Sequence, residues 1–96
     1  MNKYILSIGA NNDTKELEIE NIKYIIGNFC DDFNTGFTLV ESVGYWVGSV
    51  EKSCIVSIVT ESIIIDDIIS LCNELKRQLK QDSVLLEVSQ VDCKFI

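Results

Sequence analysis

The residues Gly44-Tyr45-Trp46-Val47-Gly48 and the segment Ser49-Val50-Glu51-Lys52-Ser53 behind them carry the groups in this chain best suited to holding a small molecule. They include the only tryptophan, a tyrosine, a carboxylate and two hydroxyls. An indole at a sheet corner leaves apolar area in water unless something covers it. Trp46 is therefore either a core plug or a stacking surface for a flat ligand. Stacking of Tyr45 and Trp46 on a purine is worth ~1–3 kcal/mol per base; the plain alternative is an aromatic pair closing the hairpin end of a sheet. Glu51 and Ser53 either pair with Lys52 and their strand neighbours or read hydroxyl and amino groups of a ligand.

A second cluster, Gly9-Ala10-Asn11-Asn12, follows a strand and precedes a helix. Backbone N–H groups and the positive end of a helix can receive an anion there. The spacing matches neither G-x-G-x-x-G nor a Walker loop. An ordinary turn also favours Asn, which tolerates unusual dihedrals. The side chains of Asn11 and Asn12 still offer donors and acceptors suited to a base edge or a ribose. Gln81, in Gln81-Asp82-Ser83-Val84, joins the second helix to the last strand; its plain role is that of a helix C-terminal loop residue. The loop after the first strand and the loop before the last are expected at opposite ends of their elements, so Gln81 need not share a pocket with Asn11 and Asn12 within one protomer.

Catalysis finds no support in the residue pattern. The chain has no histidine, no serine triad, no glycine-rich phosphate loop and no metal-ligand spacing. Asp31-Asp32 and Asp66-Asp67 are sequence neighbours, and on a helix such neighbours point apart. The expectation is a protein that is not an enzyme and needs no metal or cofactor. Cys30, Cys54, Cys72 and Cys93 form no C-x-x-C pair, and each sits among apolar residues, so all four are expected buried and reduced.

These groups need a scaffold, and hydrophobic periodicity supplies one. Tyr4, Leu6 and Ile8 alternate with Ile5 and Ser7 up to Gly9, giving a first strand. Asp13, with Glu16 three residues on, has the pattern of a capping box. Leu17, Ile22, Ile25, Ile26 and Phe29 then share one helical face. A second strand runs from about Thr35 to Val43 and on through Trp46, and a third from Ser53 to Thr60, with Gly44 and Gly48 at bulge or turn positions. A second helix begins near Ser62, buries Ile64, Ile65, Ile68, Leu71, Cys72, Leu75 and Leu79, and gives way to a last strand at 84–91. Lys76, Arg77 and Lys80 complement the negative end of that helix.

The order β-α-β-β-α-β predicts a ferredoxin-like α+β fold over residues 1–96: a four-stranded antiparallel sheet with both helices on one face. One strand parity, Tyr4/Leu6/Ile8, Cys54/Val56/Ile58 and Val84/Leu86/Val88, should face the helices. The other mixes apolar and hydroxyl residues, which suits a homodimer interface through the open sheet face or a shallow ligand platform.

Composition narrows the partners. Ninety-six residues with 47% apolar content suffice for one core. A net charge of −7 argues against a nucleic-acid polymer, because phosphate binding needs concentrated Lys and Arg. No apolar run approaches the roughly 20 residues that span a bilayer, and no signal-peptide pattern opens the chain, so the cytoplasm is the expected location.

Taken together, Ile8-Gly9-Ala10-Asn11-Asn12, Gly44-Tyr45-Trp46-x-Gly48-x-x-Glu51-x-Ser53 and Gln81-x-x-Val84 resemble a family of small proteins borne by phages and mobile elements. That family overlaps the viral sponge proteins that sequester cyclic-nucleotide messengers of bacterial anti-phage defence. The resemblance implies capture of a cyclic dinucleotide or a relative, without turnover, in the host bacterial cytoplasm. Tyr45 and Trp46 would stack on a base, and Asn11, Asn12, Glu51, Ser53 and Gln81 would supply hydrogen bonds. A dianionic ligand would also need local positive charge, for which Lys3, Lys52 and Lys94 are the candidates. The alternative is an acidic inhibitor that occupies the nucleic-acid groove of a host defence protein.

Overall fold

The computed structural model describes all 96 residues. Four strands and two helices follow one another as β1 (Asn2–Gly9), α1 (Ile19–Asp32), β2 (Thr38–Trp46), β3 (Ser49–Thr60), α2 (Ile65–Leu79) and β4 (Leu85–Gln90). The sheet has the order β2-β3-β1-β4, with every neighbouring pair antiparallel. This is the expected ferredoxin-like arrangement.

Alternation along the two central strands builds the core. Tyr4, Leu6 and Ile8 of β1 and Cys54, Val56 and Ile58 of β3 are buried against Ile22, Ile26 and Cys30 of α1 and Ile68, Leu71, Leu75 and Leu79 of α2. Each buried aliphatic side chain contributes about 1.5–3 kcal/mol relative to exposure. The Tyr4 hydroxyl, deep in this layer, accepts the Ile64 backbone N–H at 3.2 Å just before α2 begins. Parity fails on β4: Val84 and Leu86 are only half-buried and Val88 is exposed. An edge strand lies partly beyond the cover of two helices, so its inward parity is not fully enclosed.

Both helices begin later than the sequence pattern suggests. Asp13 is not a cap; α1 starts at Ile19, and Glu18 precedes it without a side-chain capping bond. The competing force is local. Asn11 Oδ1 accepts the backbone N–H groups of Asp13 (2.8 Å) and Thr14 (3.3 Å), and its amide donates to Glu18 Oε2 at 2.8 Å. This Asx-type turn holds residues 11–14 out of the helix. At α2, the Ser62 N–H turns back to Thr60 Oγ1 at 3.2 Å, and helix bonding opens with Ile68 N–H to Ile64 C=O. No helix is long and apolar enough to cross a membrane.

Candidate functional site

The sheet ends unevenly, and that mismatch creates a corner. β1 stops at Gly9, paired with Ser53, while β3 begins at Ser49. Residues 49–52 of β3 therefore pair only with β2, as a two-stranded arm running from Gly44↔Glu51 to Trp46↔Ser49. Val47 and Gly48 close it with φ of 45° and 77°, the pattern of a type I′ hairpin turn.

Glu51 stands at the root of this arm, between two glycines. The pleat places it with Ser53 on the open sheet face, and Lys52 on the opposite face. A β-carbon on Gly9 would collide with Glu51 Oε1; one on Gly44 would lie 3.6 Å from Glu51 Cγ and 3.7 Å from Ser53 Oγ. The missing side chains thus form a trough in which the carboxylate lies. Ser42 and Ser53, partners across β2 and β3, share a hydrogen bond of 2.8 Å between their hydroxyl oxygens. One hydroxyl hydrogen of that pair remains available to an acceptor.

Gln81 completes the corner from the other side. Its backbone N–H bonds to the Lys76 carbonyl at 3.0 Å, the wide i→i−5 closure of a helix end in which Lys80 takes the left-handed conformation at φ 52°. Its side chain reaches Gly9: Gln81 Oε1 lies 3.1 Å from the place of a Gly9 β-carbon. Gln81 Nε2 is buried and has no partner in the protein. The expectation that the two flanking loops lie at opposite ends is therefore corrected. β4 runs antiparallel to β1, with Ser7 opposite Leu85, so the chain enters β4 where it leaves β1. A Lys80 Nζ to Asp13 Oδ2 ion pair of 2.9 Å joins the two loops.

The structure thus brings together Glu51, Ser53 and Gln81, with Gly9, Gly44 and Ser42 as their frame. Trp46 follows Gly44 by two residues on the same strand, so the pleat puts it on the face of Glu51, and it is 78% exposed. It is a surface side chain and not a core plug. Tyr45, 79% exposed, projects from the other face of the arm and cannot stack with Trp46 on one ligand within a protomer. Asn11 is 8% exposed and its amide is used by the loop itself. Asn12 is exposed on that loop. Gly44 carried a legible signal, since an isolated glycine inside a strand marks a close approach; the role of Ser42 follows only from register.

The cations proposed for a dianion lie elsewhere. Lys52 faces away from Glu51. Lys3, opposite Val59 and Ser89, stands six residues back along β1, about 20 Å from Gly9. Lys94 lines a cavity of about 830 Å³ with Phe33, Phe37 and Cys93 near the start of β2. Arg77 is taken by Glu74 at 2.6 Å. What meets at the corner is the Glu51 carboxylate, the neutral Gln81 amide and the Ser42–Ser53 hydroxyl pair.

The thiols divide in a way the sequence did not show. Cys30, Cys54 and Cys72 are free and buried, but Cys93 is exposed. Burial pushes the Cys54 thiol up to about 11, with the Glu41 carboxylate adding to the shift. Burial likewise raises Cys30 to about 11, helped by Asp31. No group of three or more Cys, Asp or Glu side chains is placed to hold a metal.

No family model matches the chain, and no curated protein matches it in sequence. Its fold, however, is found in solved structures. A phage SAM lyase in complex with S-methyl-5'-thioadenosine superposes with a TM-score of 0.62 at 18% identity, over 93% of this chain and 80% of that one. A DUF3240-family protein from Shewanella baltica gives 0.64 at 12% identity, over 99% and 94% of the two chains. CutA1 from Oryza sativa gives 0.61 at 14% identity, over 99% and 84%. At these identities the shared property is the fold. The expectation of a protein that is not an enzyme is corrected at this point, because a phage lyase is among the proteins with this architecture, and residue inventory alone was no basis for setting catalysis aside.

Proposed function

We propose that this chain binds S-adenosylmethionine, a positively charged sulfonium nucleoside, at the Glu51 corner and cleaves it as a lyase. The observation that carries the reading is the Glu51 carboxylate held between Gly9 and Gly44, which forms no ion pair with a lysine or arginine. An acidic chain with an anionic corner attracts a cation and repels a dianion. The likeness of fold to a phage SAM lyase supports the same ligand class. Glu51 holds the positive end of the ligand, and Trp46 covers the flat base from the arm. Cleavage leaves the carbon–sulfur electron pair on sulfur, converting the sulfonium to a neutral thioether, while an oxygen of the ligand's own α-carboxylate bonds to the carbon that sulfur leaves and closes a lactone, so that no further reactant is consumed.

This reading keeps the removal of a nucleotide-type small molecule from a phage host, and replaces a cyclic dinucleotide by a cationic nucleoside and capture by turnover. The apolar residues of the open sheet face, Val40, Ile55 and Leu85, stand in register across the sheet and support a second copy as their cover.

The test is incubation of the purified protein with S-adenosylmethionine, followed by chromatography. S-methyl-5'-thioadenosine should appear, Glu51→Gln should slow its release at least about tenfold, and Trp46→Ala should weaken binding without unfolding the chain. Intact ligand recovered from a tight complex would make the protein a sponge. Affinity for cyclic dinucleotides in its place would return the reading to messenger sequestration, and no affinity for any nucleotide would favour the acidic inhibitor of a host protein.

A further inference from the structure

Gln81 Nε2 is the one buried side-chain nitrogen or oxygen of this protein left without a partner, and it belongs to a side chain lying against Gly9 beside the Glu51 carboxylate. A buried amide N–H without an acceptor costs about 1–3 kcal/mol, a cost that an acceptor from outside the chain would relieve. The Gln81 backbone is tied to Lys76, and the preceding Lys80 is tied to Asp13, so the side chain is kept at the corner while its amide can turn over. Its oxygen lies on the Gly9 side; turning the amide over brings the nitrogen there, where it donates to Glu51 or, once Glu51 holds a cation, to an anionic group of the ligand.

We propose that Gln81 is the specificity-determining residue for a zwitterionic α-amino-acid group on the ligand. Glu51 takes the ammonium, and the Gln81 amide takes the carboxylate. This rests on the reading of the corner as an S-adenosylmethionine site and adds which end of the ligand the corner reads. The chemistry of the corner is divided as such a group requires: one full negative charge on Glu51, and neutral donors on its flanks. Besides Gln81 Nε2, the Ser42–Ser53 pair keeps one hydroxyl hydrogen for an acceptor, and Ser53 is the register partner of Gly9. An arginine in the place of Gln81 would bind a carboxylate more strongly, but it would also pair with Glu51 and compete for the ammonium. A neutral amide binds the anion and leaves Glu51 free. A second placement of the same groups, Glu51 and Gln81 on the ribose hydroxyls, makes a different prediction for ligands that lack the amino acid.

The experiment uses two probes that share the adenosine and thioether but differ at the amino-acid end: S-adenosylhomocysteine, which has it, and S-methyl-5'-thioadenosine, which does not. Calorimetric titration of the unaltered protein should give tighter binding of S-adenosylhomocysteine. Gln81→Leu should weaken S-adenosylhomocysteine by about tenfold or more, the loss of a hydrogen bond to a charged group, and leave S-methyl-5'-thioadenosine within about twofold. Gln81→Glu, of the same shape but with a charge like that of the ligand carboxylate, should lose S-adenosylhomocysteine further and again spare the shorter probe. Retained affinity for the shorter probe reports that each variant is folded. Equal losses for both probes would assign Gln81 to the ribose and overturn the proposal, as would no loss for either. An unaltered protein that binds both probes equally overturns the amino-acid assignment alone. One that binds neither overturns the S-adenosylmethionine reading, and this inference with it.

Discussion

Glu51 and Gly9 compete for one space: the carboxylate oxygen of the first lies where a β-carbon on the second would stand. The acid at the corner is placed by a residue on a different strand that contributes no side chain at all.

A methyl group added there separates function from stability. Glu51 is exposed, so its flexible end can swing away from Gly9→Ala at little cost. Gly9→Ala should change the melting temperature by no more than a few degrees while cutting the S-adenosylmethionine cleavage proposed for this corner about tenfold or more. Thermal denaturation and turnover measured on the same preparation check both halves; full activity in Gly9→Ala would show that the trough does not place the acid.

Val47 is the reverse case, a residue whose replacement should help. It holds φ of 45° at the arm tip, although a β-branched side chain disfavours the left-handed region. Val47→Asn supplies the residue that a type I′ turn prefers and should stabilise the protein by about 1 kcal/mol. Urea titration should show a higher midpoint with an unchanged slope.

Tyr4 supports α2 through its hydroxyl, at 1% exposure. Tyr4→Phe keeps the ring packing and leaves the buried Ile64 N–H without an acceptor, at a cost of about 1–3 kcal/mol. A melting temperature lowered by about 4–8 °C for each kcal/mol is the expected reading, and an unchanged one would mean that water serves the Ile64 N–H instead.

The buried thiols set an alkaline limit to stability. The folded Cys30 and Cys54 are raised from the ordinary 9.0 to about 11, so the unfolded chain loses these protons first. Their contribution is complete below about pH 9 and declines as the pH rises toward about 11. Denaturation midpoints across that window should fall, and Cys54→Ala should fall less steeply than the unaltered protein. At pH 8 a thiol reagent should label Cys93 in the folded state and the other three only after denaturation.

The order of elements, the buried parity of β1 and β3 and the apolar stripe of α2 were legible in the sequence, because a period of two or of 3.6 is a local property of the chain. Exposure of Val88, the late start of α1 and the exposure of Cys93 were not. An edge strand looks like a central one in sequence, and Asn11 competes with Asp13 only through a turn geometry that spacing does not encode.

The candidate site divides along the same line. From the sequence by itself came the fold class, the concentration of chemistry at 44–53 and the notice drawn to Gln81. Only the tertiary structure decided which of those residues meet. The antiparallel return of β4 brings Gln81 to Gly9, the pleat sends Tyr45 and Trp46 to opposite faces, and the register of β2 on β3 seats Glu51 opposite Gly44. These are consequences of strand pairing between segments far apart in the chain, set by the joint burial of the core, and no local spacing carries them.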